Sequence, residues 1–261
     1  MPAWADGGHI GIKMVTVFPN NGAKSLPSIY GTYTLLDGET GIPLATMDGS
    51  VITLFRTAAA SVLAATYLAR TEASRLVMIG TGALAPHIIA TYVEVLGIKE
   101  VQIWGRNGDK AAQLVQQLSD IDAHITATTD IEAACNWADV ISCATLSKDP
   151  LIKGDWLSPG TFVDLIGAYT PEMREADDGV ISKSSIFVDT REGALKEAGE
   201  IMIPIQKGII TEKDILGDLF DLTLDKHPGR LNDAEITLFK SSGFALEDLV
   251  AAQMVFEYLS Q

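Results

Sequence analysis

A strand, a glycine-rich turn, a helix and a second strand follow one another between residues 75 and 107, and this order limits the possible fold more than any other feature. The apolar run RLVMI leads into GTGALA, from Gly80 to Ala85, with the spacing G-x-G-x-x-A. Gly80 permits a tight turn, Gly82 lets backbone amides approach a pyrophosphate, and the small Ala85 lets the helix pack on the strand. Chance matches to the glycine pattern are common, but here both strands and the helix have the required spacing. The sequence therefore predicts a dinucleotide-binding βαβ unit, with the helix N-terminus facing the phosphates.

The second strand of this unit, KEVQIW, ends in Gly105-Arg106-Asn107. An NAD site usually has an acidic residue at this strand end for the ribose 2′-hydroxyl, whereas an arginine suits a 2′-phosphate. An arginine here can also be only a solvated surface residue. The sequence favours recognition of a phosphate by Arg106, with Asn107 beside it, and it predicts NADP(H) in preference to NAD(H).

Composition excludes several classes of partner. The net charge is −15, and no cluster of basic residues offsets it, so nucleic acid and anionic membranes are poor partners. The N-terminal residues MPAWADGG lack the basic and apolar regions of a signal peptide. The apolar residues 51–69 contain an arginine and three threonines, which indicates a buried helix and not a membrane span. Neither the two cysteines nor the four histidines have metal-site or disulfide spacing. We expect a cytoplasmic protein with a small-molecule substrate and no metal.

Six short apolar runs, most of them separated by helical stretches, predict an α/β fold with a doubly wound parallel sheet. They occupy residues 75–80, 99–104, 123–128, 139–145, 161–167 and 185–190. The chain before them has two strand-like runs, a hairpin turn at DGETG and a helix over residues 51–70, capped by Ser50 or Asp48. From residue 232 onward the apolar periodicity is helical. We predict a Rossmann domain at 73–228 and a smaller α+β substrate and dimerisation domain formed by both chain ends, 1–72 and 229–261.

Two basic residues interrupt apolar segments. Lys13 lies within the strand GIKMVTV, where a lone lysine most often points to solvent, and the residues alone favour that interpretation. Arg56 is close to the start of its helix, where it can extend into solvent or hold a carboxylate. Thr145, Ile166 and Gly167 stand at strand ends from which such folds touch ribose and nicotinamide. An ordinary structural role at those strand ends is equally compatible with the sequence.

Several blocks, taken together, resemble the ornithine cyclodeaminase/mu-crystallin family. They follow in order over nearly the whole chain: GIKMVTVFPNN, LLDGETGIPLATMDG, LFRTAAASVLAATYLAR, GTGALA, VDLIGAYTPEMREAD and EITLFKSSGFALEDLVAAQ. The family includes ornithine cyclodeaminase, archaeal-type alanine dehydrogenase and ketimine reductases. The resemblance implies a dimer, with the substrate between the Rossmann domain and the other domain.

The resemblance also implies roles for individual residues. Lys13 becomes a catalytic residue that contacts the substrate and its carboxylate, Arg56 contacts both this carboxylate and the cofactor, and Ser242 lies beside the substrate. Further cofactor contacts are implied for Ser28, Ala83, Leu84, Thr145, Ile166, Gly167 and Ser241.

The chain departs from the family pattern in two places. In the cyclodeaminases an aspartate thought to act as acid and base follows the turn after the fifth strand, and here Tyr169 occupies that place. Asp164, earlier on the same strand, is a candidate to replace it. Members also usually carry a further segment before the block that begins this chain, with another substrate-contacting arginine and dimerisation strands. We expect its absence to weaken the dimer and to impair activity.

These observations predict an NAD(P)H-dependent reductase of a cyclic ketimine, with Δ1-pyrroline-2-carboxylate reduced to L-proline as the best candidate reaction. The alternatives are an ornithine cyclodeaminase, which converts L-ornithine to L-proline and ammonia, and a non-catalytic binder of NADPH and small ligands resembling mu-crystallin.

Overall fold

The chain forms two compact units in the computed structural model, which describes residues 1–24, 26, 27 and 29–260. The terminal unit comprises residues 1–57 and the segment that begins at Gly243, and the central unit comprises residues 58–242. The pairing of both chain ends in one unit agrees with the sequence analysis, but the boundaries differ from those expected after residues 72 and 228. Residues 58–72 and 229–242 belong to the central unit, which the sequence did not indicate.

The helices and strands follow one another along the chain in a regular order. The first half contains β1 (Pro2–Trp4), β2 (His9–Val17), β3 (Ile29–Asp37), β4 (Pro43–Asp48), α1 (Gly49–Leu68), β5 (Arg75–Ile79), α2 (Ala85–Leu96), β6 (Glu100–Trp104), α3 (Gly108–Gln117), β7 (His124–Thr128), α4 (Ile131–Trp137) and β8 (Val140–Cys143). The second half contains β9 (Phe162–Leu165), α5 (Asp178–Lys183), β10 (Ser185–Val188), α6 (Arg191–Glu197), α7 (Gly199–Gln206), β11 (Ile215–Asp218), α8 (Leu219–Thr223), β12 (Thr237–Lys240) and α9 (Ala245–Leu259).

The terminal unit has an antiparallel sheet in the order β1-β2-β3-β4, with α9 packed against it. Its core contains Tyr33, Leu35, Ile52, Leu249 and Ala252. The C-terminal helix α9 thus packs against the N-terminal strands. Of the two predicted caps, Asp48 accepts hydrogen bonds from the amides of Ser50 and Val51, whereas the Ser50 hydroxyl accepts from the amide of Gly31.

The central unit contains a parallel sheet of eight described strands in the order β11-β10-β12-β9-β8-β5-β6-β7. From β5 the chain runs outward through β6 and β7, and it then returns to the other side of β5 with β8. This reversal places a crevice at the carboxyl ends of β5 and β8, which is where open α/β sheets bind their ligands. The predicted doubly wound α/β fold is confirmed.

Two strands of this sheet were not predicted. Residues 232–242 were assigned to a helical C-terminal segment, but β12 is a strand inserted between β10 and β9. All four of its residues are buried. A fully buried strand of four residues has no alternation of polar and apolar side chains, so its pattern cannot be distinguished from that of a helix. The edge strand β11 was also missed, because its four residues are too few to show a strand pattern.

Helix α1 is long and apolar enough to cross a membrane by length and composition alone, although half of its most apolar window is buried within the fold. Its inward face includes Ala58, Ser61, Ala64, Ala65 and Leu68. A core helix of a globular protein has the same properties, as expected from the sequence.

Candidate cofactor and substrate sites

The glycine turn after β5 is packed directly against the end of β8. Gly80 has a φ of +123°, and a Cβ atom there would lie 2.5 Å from the carbonyl oxygen of Ala144. Only glycine adopts this conformation at this distance without strain. The predicted tight turn therefore also brings together the two strand ends that border the crevice.

The N-terminus of α2 is open to a phosphate group. No side chain caps this helix end, and unpaired N–H groups there attract anions. Gly82 and Ala83 are exposed and Leu84 is half-buried, and no atom lies within 4 Å of the position that a Cβ at Gly82 would take. Ala85, by contrast, is buried in the core, as the motif requires. These residues fit the pyrophosphate of a dinucleotide.

At the end of β6, Arg106 and Asn107 are both exposed, but their side chains differ in their hydrogen-bond partners. The Asn107 side chain caps α3 by accepting from the amides of Asp109 and Lys110, at 3.0 and 3.3 Å. Among the described residues, no hydrogen bond or ion pair engages the guanidinium of Arg106. Arg106 is therefore available to a ligand, whereas Asn107 has a structural role that the sequence analysis did not anticipate. Its cofactor contact stays a prediction.

The ends of β8 and β9 are joined by a residue that the sequence analysis missed. Glu175 is fully buried, and its Oε1 atom accepts from the Thr145 amide at 2.6 Å and from the Thr145 hydroxyl at 2.9 Å. Its Oε2 atom accepts from the amides of Gly167 and Ala168 at 2.7 and 3.3 Å. The structure therefore brings Thr145 and Gly167 together, whereas their contacts with a cofactor stay a prediction. Ile166, the predicted neighbour of the nicotinamide, is mostly buried.

The segment after β12 carries Ser241 and Ser242, and Asp189 at the end of β10 holds it. The carboxylate of Asp189 accepts from the Ser242 amide at 2.6 Å, and Asp189 is fully buried. The Ser242 hydroxyl is buried and has no hydrogen-bond partner among the described residues. A buried hydroxyl without a partner costs free energy, so Ser242 is suited to bind a ligand.

Asp164 does not provide the acid or base that Tyr169 lacks. Its carboxylate is fully buried and accepts from the hydroxyls of Ser61, Tyr92 and Ser142. Burial raises the pKa of Asp164 to about 6, against the opposing effect of these hydrogen bonds. The suggestion that Asp164 replaces the family aspartate is therefore wrong, because the carboxylate faces the core of the sheet.

We expect Asp164 to make the stability of the protein depend on pH. Because its pKa in the folded state, about 6, lies above its ordinary value of 3.8, its contribution to stability is complete below pH 4 and is lost as the pH rises through 6. A shift of about two units corresponds to roughly 3 kcal/mol.

Asp164→Asn removes this titration. Urea unfolding of both proteins between pH 4 and 7 should show the variant gaining stability relative to wild type as the pH rises. Both retain Glu200, whose pKa burial raises to about 7, so the difference isolates Asp164. Parallel stability curves would contradict this prediction.

The terminal unit contains a buried cluster of two cations and two carboxylates. Lys13 Nζ lies 2.6 Å from Asp248 Oδ2, and Arg56 bridges Glu247 at 2.6 Å and Asp248 at 3.1 Å. Lys13 also donates to the hydroxyl of Thr53 at 3.2 Å. The structure thus brings Lys13 and Arg56 together around Asp248.

Lys13 is not a surface residue, which corrects the interpretation that its residue type alone favoured. Only 4% of it is exposed, because alternation along β2 turns it toward α9 with Gly11. Burial lowers the pKa of Lys13, as does the charge of Arg56, whereas Asp248 and Glu247 oppose this effect. On the neighbouring strand, burial and the charge of Asp248 raise the pKa of Tyr33 to about 12. Ionisable groups perturbed in this way are concentrated at functional sites.

One predicted cofactor residue, Ser28, lies outside the described residues. Four acidic residues that organise the candidate sites were missed: Glu175, Asp189, Glu247 and Asp248. Acidic residues in the first turn of a helix ordinarily complement its dipole, so ALEDLV gave no indication that two of them face cations from distant strands and helices. Among the described residues, no group of acidic, histidine or cysteine residues could hold a metal ion.

Comparison with known proteins gives an independent assessment. The model of the ornithine cyclodeaminase/mu-crystallin family matches residues 1–261. A Δ1-pyrroline-2-carboxylate reductase from Paracoccus denitrificans is 41% identical over 254 residues, which are 97% of this chain and 80% of that protein. The structure of Thermococcus litoralis Δ1-pyrroline-2-carboxylate reductase with NADH and L-proline has a TM-score of 0.93 at 34% identity, covering 97% of this chain and 78% of that one. An archaeal alanine dehydrogenase dimer with bound NAD has the same TM-score and identity, covering 98% and 79%.

Proposed function

The chain belongs to the ornithine cyclodeaminase/mu-crystallin family, and from this premise we propose that it reduces a cyclic imino acid with a nicotinamide cofactor. The substrate we favour is Δ1-pyrroline-2-carboxylate, and the product is L-proline. Relatives that carry the name of this reductase share 38–41% of their aligned residues with this chain. The reaction would place the protein in proline metabolism.

The charge cluster of the terminal unit supports a substrate of this kind. A protonated cyclic imino acid carries one carboxylate and one positive nitrogen, and the cluster offers two cations and two carboxylates. Lys13 and Arg56 would hold the substrate carboxylate, since cations bind carboxylates through charge-assisted hydrogen bonds. Asp248 fixes the position of both cations in the absence of substrate.

The residues of the central unit would hold the cofactor. Gly80, Gly82, Ala83 and Leu84 would bind the pyrophosphate, while Thr145, Ile166, Gly167 and Ser241 would surround the ribose and the nicotinamide. When bound there, a reduced nicotinamide would supply the hydride for reduction of the protonated imine, whose nitrogen would keep its proton in the amine product. Because an iminium carbon is already electrophilic, positioning by the protein could supply most of the catalysis.

One observation favours reduction over cyclodeamination, namely the location of Asp164. Cyclodeamination requires removal of a proton from an amine and release of ammonia, and a phenol is a poorer base than a carboxylate at neutral pH. With Tyr169 at the turn and Asp164 committed to three hydroxyls in the core, these two residues supply no base. Reduction of a preformed imine avoids those steps. Cyclodeamination of ornithine therefore remains the second candidate.

NADP(H) is the cofactor that we propose in preference to NAD(H), because Arg106 is exposed and has no partner in the described part of the chain. Arg106→Asp should reverse or abolish the preference, since a carboxylate repels the 2′-phosphate and accepts from a 2′-hydroxyl. Fluorescence titrations with NADPH and NADH measure it, and Arg191→Asp, which changes another arginine outside the proposed cofactor site, is the control. Tighter binding of NADH than of NADPH by the wild-type protein would show that this interpretation of β6 is wrong.

We also propose that the protein forms a homodimer and that it is located in the cytoplasm. On β2, Ile12 and Met14 are exposed on the face opposite Lys13, and exposed apolar sheet faces often mark interfaces. The archaeal alanine dehydrogenase of similar structure is a dimer.

The direct test supplies Δ1-pyrroline-2-carboxylate and NADPH to the purified protein and measures proline by mass spectrometry together with loss of NADPH absorbance. Equal amounts of proline formed and NADPH consumed are expected. A protein that gains thermal stability with NADPH but forms no proline would instead be the non-catalytic binder.

A further inference from the structure

Glu175 lies on the loop that follows β9, and its single carboxylate receives four hydrogen bonds from two different strand ends. Two come from Thr145 after β8, and two come from Gly167 and Ala168 after β9. A carboxylate accepts at about four lone-pair positions and donates nothing, so these four donors, with the Cys143 thiol as a further hydrogen-bond neighbour, use its full capacity. Any other side chain of this length would leave at least one buried donor without a partner.

The two strand ends are closer together than any side chain at residue 167 would allow. A Cβ atom at Gly167 would lie 1.9 Å from the carbonyl oxygen of Thr145 and 2.6 Å from Glu175 Oε1. The glycine and the glutamate therefore depend on each other, because the glycine permits the approach and the carboxylate pairs the amides that the approach would otherwise bury without partners.

The backbone of the loop that carries Glu175 is held by a second buried carboxylate. The carboxylate of the buried Glu200 accepts from the amides of Glu175 and Ala176 at 2.9–3.0 Å. Lys240, fully buried at the end of β12, donates to the carbonyl of Leu165 at 3.1 Å. Two further buried charged groups thus hold the backbone near this contact, Glu200 at the loop of Glu175 and Lys240 at the end of β9.

We propose that Glu175 is a positioning residue that holds the ends of β8 and β9 at the spacing required by the nicotinamide half of the cofactor. It does not touch the cofactor. It orients the Thr145 hydroxyl, whose hydrogen it accepts, so that Thr145 presents an oxygen lone pair as an acceptor for a ribose hydroxyl. This inference rests on the proposed nicotinamide-dependent function and adds a residue that the sequence comparison did not assign.

Glu175→Gln tests the proposal, because the amide keeps the size of the side chain but turns an NH₂ group toward backbone donors. We expect NADPH and NADH to bind about tenfold to a hundredfold more weakly, as for loss of hydrogen bonds to a charged group, with their ratio unchanged. Adenosine 2′,5′-bisphosphate, which contains only the adenine half, should bind as in wild type. Amide hydrogen exchange at Thr145, Gly167 and Ala168 should accelerate in the cofactor-free variant.

Asp164→Asn is the matched control, since it neutralises another fully buried carboxylate of the same sheet that contacts no strand-end amide. Its affinity for NADPH should remain within about threefold of wild type. If Glu175→Gln does not fold, Glu175→Asp keeps the charge but shortens the side chain by one methylene group, and it should weaken NADPH, but not the bisphosphate, in the same direction.

Wild-type affinity of Glu175→Gln for NADPH would overturn the proposal, as would equal weakening of NADPH and the bisphosphate, which indicates general damage to the fold. For the Glu175→Asp variant, the same two outcomes would overturn it. If wild type binds NADPH but reduces no imine, the proposed function fails and these binding measurements still decide the role of Glu175. If wild type binds neither nicotinamide cofactor, both proposals fail.

Discussion

Replacing Lys13 by alanine is expected to lower kcat/KM for Δ1-pyrroline-2-carboxylate by about 30-fold to several thousand-fold while the affinity for NADPH stays the same. Loss of one partner from a buried, charge-assisted contact costs on the order of 2–5 kcal/mol, and Lys13 is both buried and charge-paired. The residues proposed to bind the cofactor pyrophosphate lie in the central unit, whereas Lys13 lies in the terminal unit. Steady-state kinetics with a separate NADPH titration measure both effects.

This substitution also removes a partner of Asp248, and loss of one member of a buried ion pair costs about 3–5 kcal/mol of stability. Activity must therefore be measured well below the unfolding transition of each variant. Lys13→Met keeps the apolar stem of the side chain and should show the same loss of turnover with less local disruption. Lys183→Ala is the control, because Lys183 forms a solvent-exposed ion pair with Asp155 and should change neither quantity. Turnover by folded Lys13→Met within threefold of wild type would remove Lys13 from the substrate site.

The second large effect expected is a difference between two substrates of the same protein. A positioned general base contributes typically a factor of 10²–10⁴ to a rate. Tyr169 offers only a phenol for this part, and the carboxylate of Asp164 is bound to three hydroxyls in the core. We therefore expect release of ammonia from ornithine to be at least about 100-fold slower than reduction of the imine under matched conditions.

The sequence predicted the glycine turn of the central unit better than the charge cluster of the terminal unit. The turn from Gly80 to Ala85 is a local feature, in which spacing, glycine conformation and helix packing are determined by consecutive residues, and the structure agrees with it throughout. Asn107 shows the limit of such reasoning, because its position suggested a cofactor contact whereas its side chain caps α3.

The charge cluster depends on contacts between residues far apart in the chain. Whether Lys13 points to solvent or to a buried carboxylate depends on Asp248, which belongs to α9 at the other end of the chain. No periodicity within β2 carries that information, so only the family resemblance gave Lys13 a functional role. Glu175 was missed for a related reason. Most of its partners are backbone amides, which almost every residue has, so the sequence does not indicate them.

The strand order of the central unit could be predicted only in part. The strands from β5 to β10 were recognised as runs of apolar residues, and the alternation with helices indicated a parallel sheet. The insertion of β12 between β9 and β10 required knowledge that Thr237–Lys240 is buried on both faces. This insertion also places Ser241 and Ser242 at the same edge of the sheet as Asp189.

The most direct measurement of the central claim supplies one preparation of the purified protein with Δ1-pyrroline-2-carboxylate and NADPH in one assay, and with ornithine and catalytic NADP⁺ in another. Proline is quantified in both and ammonia in the second. We predict proline in the first assay, with one NADPH consumed per proline, and no ammonia above background in the second. Release of ammonia from ornithine at a rate comparable with imine reduction would contradict the account and would require a base other than Tyr169 and Asp164.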